Sequence, residues 1–84
     1  MQSLKVSLAI LHKAIRLQDI VSFHETYDAC IDYVLENVMA SRETRSFYTA
    51  LELCKNAFEQ ADYVWAFGEW NLAFRLTDFF ETIG

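Results

Sequence analysis

The sequence predicts an all-α fold, a small antiparallel four-helix bundle, and three observations carry that reading. Apolar residues recur in steps of three and four over most of the chain, the spacing that lines one face of a helix. The phase of this pattern is lost at a few points, each beside a residue suited to capping a helix. Proline is absent and the only glycines are Gly68 and Gly84, so no flexible linker divides the 84 residues and residues 1–84 read as a single helical domain.

The first seam is Leu4, Leu8, Leu11 and Ile15; extending it would require apolar residues at Gln18 and Ser22. A second seam starts two residues out of register with Ile20, Phe23, Tyr27, Cys30, Val34 and Val38. The break therefore lies near Leu17–Ser22, where Asp19 can cap directly and Ser22-x-x-Glu25 has capping-box spacing. The second seam ends near Asn37–Ala40. Ser41 is the next N-cap, with Glu43 placed to favour the positive end of the helix dipole.

Phe47, Leu51, Cys54, Phe58, Ala61 and Trp65 form the third seam, which read literally continues to Phe67 with Gly68 as a left-handed cap. A break at Asp62 is the alternative, because sliding the chain by 43 residues superposes Leu8 on Leu51, Ala14 on Ala57, Asp19 on Asp62 and Val21 on Val64. If that correspondence is structural, the chain is two helical hairpins of one design. Short connections between them favour antiparallel neighbours. The last helix is expected to seat Leu72, Leu76, Phe79 and Ile83 on the core. Trp70, Ala73, Phe74 and Phe80 widen its apolar surface beyond the roughly 100° that a helix on one core needs. Such a helix is either central or shared with a partner.

Composition narrows the function classes. At 54% hydrophobic and 15% aromatic, the chain is richer than the roughly 45–50% apolar of an average domain, which excludes disorder and leaves apolar surface for an interface. No uncharged apolar run reaches the roughly 18 residues of a membrane span, and the polar faces lack the Lys/Arg enrichment of a membrane-surface helix. The first residues, interrupted by His12 and Lys13, make a poor signal peptide, so a cytoplasmic protein is expected. Cys30 and Cys54 lie far apart without a C-x-x-C, as free core thiols would.

No catalytic constellation stands out. His12 and His24 fall on different helices, no serine sits in a glycine-flanked elbow, and no Gly-rich loop could cradle phosphate. His24, Glu25 and Asp28 could share a metal or a proton, but such groupings are common on a polar helix face, and neither a metal nor another cofactor is assigned. The expectation is a protein that is not an enzyme.

Charge is more informative. Asp19, Glu25, Asp28, Asp32 and Glu36 fall between Leu17 and Ser41, a stretch with no Lys or Arg. The other seven acids balance the chain's seven bases, so the net charge of −5 belongs to the second helix. Glu25, Asp28, Asp32 and Glu36 step by 3, 4 and 4 into a ridge of like charges, a spacing that costs a few tenths of a kcal/mol per pair. A solvated face explains such a ridge, and so does a docking surface for a basic protein. It repels phosphate, so direct nucleic-acid binding is not expected; a nucleic-acid mimic is one form the docking protein could take.

Tyr63, Trp65, Phe67 and Trp70 supply a candidate second contact surface, since five consecutive apolar residues from Tyr63 to Phe67 cannot all face one core. The expected function is a non-enzymatic binding module, such as a regulator, adaptor or inhibitor, docking a basic partner through the acidic helix and the aromatic face. The alternative is a structural subunit or an obligate homodimer sealed by Trp65 and Trp70.

Overall fold

Each of the four α-helices begins where a side-chain oxygen takes up an otherwise orphaned backbone N–H. A computed structural model describes residues 3–83 and gives four helices: α1 Leu4–Leu17, α2 Ile20–Asn37, α3 Arg42–Glu59 and α4 Tyr63–Leu76, followed by a 3₁₀ turn at Thr77–Phe79. Ser3 accepts from the Val6 N–H, Asp19 from Ser22, Ser41 from Thr44 and Asp62 from Trp65. A cap of this kind contributes about 1 kcal/mol. Asp19 itself is the cap of α2, so the Ser22–Glu25 box is not used, whereas Ser41 and Thr44 form a reciprocal box in which the Thr44 hydroxyl accepts from the Ser41 N–H at 2.8 Å.

The third helix ends at Glu59, so the break lies at Asp62 and Gly68 sits inside α4. The turn that makes this break repeats the first one at an offset of 43. Gln18 and Ala61 both adopt a left-handed conformation, with φ of 56° and 59°. Asp19 N–H donates to the Ala14 carbonyl at 2.9 Å and Asp62 N–H to the Ala57 carbonyl at 2.8 Å. The same aspartate then caps the next helix at 3.1 Å in both places. Two hairpins, α1–α2 and α3–α4, are thus built around one turn.

These hairpins close into an antiparallel bundle in the ring order α1, α2, α3, α4. The core holds Leu8, Leu11, Phe23, Val34, Phe47 and Leu51 with no exposed surface, and burying each large side chain contributes roughly 1.5–3 kcal/mol. The seams differ. Between α3 and α4, Ala50 and Ala57 face a helix carrying Ala66 and Ala73, and the backbones run close together. Between α2 and α3 the backbones scarcely approach, and rings fill the space: Phe23 stacks on Phe58 with centroids 4.2 Å apart, and Lys55 lies over the Tyr27 ring at 5.3 Å. Lys5–Asp78 at 2.9 Å is the one salt bridge among the described residues.

α1 and α4 are joined by the Trp70 indole, which donates to the Leu8 carbonyl at 2.7 Å, and by His12, whose ring lies 4.8 Å from Phe67 and 4.6 Å from Trp70. After the 3₁₀ turn the chain straps back across the α2–α3 connection. Phe80 packs on Phe47, Met39 N–H donates to the Glu81 carbonyl, and Ile83 N–H to that of Asn37.

Of the expected core seam of the last helix, only Leu76 packs against the core, half-buried. Leu72, Phe79 and Ile83 are 48%, 68% and 59% exposed, and α4 instead turns Ala66 and Ala73 inward, flanked by half-buried Tyr63, Phe67, Trp70 and Phe74. The cause is packing distance: α3 approaches too closely for leucine at the contact, so alanines take it and the bulky residues of the other phase face out. Ile20, Ala61 and Trp65, placed on seams by spacing, also lie on the surface because each is at or beyond a helix break.

Candidate functional site

The acidic ridge opens onto a groove. Because rings hold α2 and α3 apart, their outer surfaces leave an open cleft of about 560 Å³ lined by Tyr27, Asp28, Ile31, Asp32 and Leu35 of α2 and by Tyr48 and Glu52 of α3. Ile31 and Leu35 step by four beside Asp28 and Asp32, which also step by four, so α2 contributes an apolar strip with a charged edge. Glu52 adds a third carboxylate from the opposite wall, and no basic residue lines the cleft.

The electrostatics of the groove register on its phenols. The Tyr27 hydroxyl titrates above its ordinary range, first because it is partly buried and then because the Glu52 and Asp28 carboxylates oppose a further negative charge. Burial likewise raises Tyr48. Both remain protonated donors at neutral pH, set among acceptors.

The structure divides the residues expected at a partner surface. Asp28 and Asp32 enter the groove; Glu25 and Glu36 are exposed but lie outside it, further around α2. Among the aromatic candidates, Tyr63 is half-buried with its ring 5.8 Å from Phe58, Phe67 is half-buried against His12, and Trp70 is half-buried with its indole bonded to α1. Trp65 alone of the four is exposed, at 60%. It points outward from α4, which stands across the ring from α2, so the acidic ridge and the exposed tryptophan do not share one face.

Spacing on a single helix could not show that Tyr48 and Glu52 complete the groove, since they come from a different helix. Their own step of four on the outer side of α3 was the available signal.

Other candidates for chemistry are occupied structurally. Cys30 and Cys54 are free and fully buried, and burial pushes both thiols up to about 12, far from a reactive thiolate at neutral pH. His24 is half-buried with its ring edge toward Phe23. Among the described residues no group of three or more His, Cys, Asp or Glu side chains is arranged to hold a metal ion, and no helix is long and apolar enough to cross a membrane.

Comparison of the chain with protein families, with curated proteins and with solved structures finds no match.

Proposed function

We propose that this protein is a non-catalytic binding module whose α2/α3 groove receives a basic, amphipathic segment of a partner protein. The observation that carries the reading is the pairing of chemistries in one cleft: Asp28, Asp32 and Glu52 around an apolar strip of Ile31 and Leu35, with two tyrosines and no basic residue in the lining, the nearby Lys55 being held over the Tyr27 ring. Apolar residues of the incoming segment would cover Ile31 and Leu35, tyrosine hydroxyls would bond its backbone or side chains, and the carboxylates would orient its lysines or arginines. The like charges on α2 work against the helix that carries them, by a few tenths of a kcal/mol per pair, and none has a packing role inside the bundle. A binding role gives that arrangement a use.

Within this reading the protein acts as a regulator, adaptor or inhibitor that masks a basic surface, and mimicry of nucleic acid is the form it takes when that surface is a nucleic-acid cleft. It works without cofactor, in the cytoplasm, where Cys30 and Cys54 stay reduced.

A fluorescent amphipathic helix peptide with lysine and leucine at alternating three- and four-residue steps tests the proposal by anisotropy. Saturable binding is expected, weakening as salt is raised and falling about tenfold or more for Asp28→Asn/Asp32→Asn/Glu52→Gln, with melting temperature and helix content retained. Equal binding by the variant, or no saturable binding by the wild type, would reject it.

A further inference from the structure

Helix α4 carries a second apolar face. Val64, Trp65 and Leu72, with Phe79 on the following turn, lie exposed on the side away from the core, and Leu53 of α3 is exposed beside them. Trp65, Leu72 and Phe79 are spaced by seven, and Gly68 falls on the same side, three residues after Trp65 and four before Leu72.

Nothing among the described residues asks for glycine at this place. Gly68 is in the helix interior, where glycine is unfavourable relative to alanine, and a Cβ built there would meet no atom within 4 Å. A missing side chain in the middle of an exposed apolar face leaves room for another backbone to approach.

We infer that a second copy of this chain covers that face, through an antiparallel α4–α4 contact about a twofold axis beside Gly68. Because Trp65 and Leu72 flank the Gly68–Glu69 pair at equal distances, such an axis sets each Trp65 against the partner copy's Leu72 and brings the two glycines to the crossing. The charges suit a surface that meets itself. The α3/α4 groove alongside is lined by Arg42 and Arg45 near the C-terminal end of α4 and by Glu69 midway along it, while the exposed carboxylate of Asp62 caps the N-terminal end, and an antiparallel pairing brings unlike ends together. The α2/α3 groove carries carboxylates alone and would repel its own copy. The two faces therefore take different partners, and dimerisation through α4 leaves the acidic groove free.

Sedimentation equilibrium decides the matter with the wild type, Gly68→Leu and Leu72→Glu. The wild type is expected at twice the chain mass. Gly68→Leu fills space open in the single chain and improves helix propensity, so it is expected to keep or raise helix content while weakening the dimer at least about tenfold. Leu72→Glu should be monomeric, and Asp28→Asn/Asp32→Asn should remain a dimer. A wild type that stays at the mass of one chain up to near-millimolar concentration overturns the inference. So does Gly68→Leu dimerising as tightly as the wild type, which would put the contact elsewhere.

Discussion

Along its α4 side, α3 offers Ala50 and Ala57, and the partner helix comes close; along its α2 side it offers Phe58, Lys55 and Tyr48, and the partner helix is held away. The first arrangement packs two helices closely beneath a groove of mixed charge. The second builds a core from stacked rings and leaves a cleft above them. Both contribute to stability and both leave a surface groove, but the α3/α4 groove mixes Arg42 and Arg45 with Glu69, whereas carboxylates are the only charged groups lining the α2/α3 cleft. The difference teaches that in a bundle this small the size of the side chains at each helix contact sets how closely the helices pack, and the outward residues then decide what the groove above them can bind.

The sharpest way to break the contrast is to empty the wide seam. Phe58→Ala removes the ring stacked on Phe23 and should cost about 3–5 kcal/mol, a large share of the roughly 5–15 kcal/mol that holds a domain together. Chemical denaturation followed by circular dichroism would show it as a strongly lowered midpoint or an unfolded chain. Overfilling the narrow seam is the counterpart: Ala73→Leu forces α4 away from α3 and should cost about 1–3 kcal/mol in the same assay. The smallest effect should come from the groove surface. Asp28→Asn/Asp32→Asn relieves repulsion along α2 and should leave stability unchanged or raise it by a few tenths of a kcal/mol, a change that separates residues kept for binding from residues kept for folding.

Much of this architecture could be read from the chain because helix starts have local chemistry. Asp19, Ser41 and Asp62 each cap the helix that follows, and the 43-residue correspondence marks a turn that does recur, down to the left-handed residues at Gln18 and Ala61. The phase of α4 was not legible. That helix is apolar on two faces, and periodicity favours bulky Leu72 and Phe79 over Ala66 and Ala73, although the alanines are what a close contact requires. Of the groove, Asp28 and Asp32 could be found from their spacing, whereas Tyr48 and Glu52 join them only through packing between helices. Trp70 illustrates the same limit: its size suggested an anchor for a partner, and its indole is bonded to the Leu8 carbonyl within the bundle.

The most direct test follows backbone amides of the ¹⁵N-labelled protein during titration with the lysine–leucine peptide. The expected result is a saturable set of shifts at Tyr27–Leu35 and Tyr48–Glu52, with Val64–Leu72 unmoved. Shifts gathered on α4 around Trp65, or none at saturating peptide, would contradict the assignment of the α2/α3 groove as the docking site.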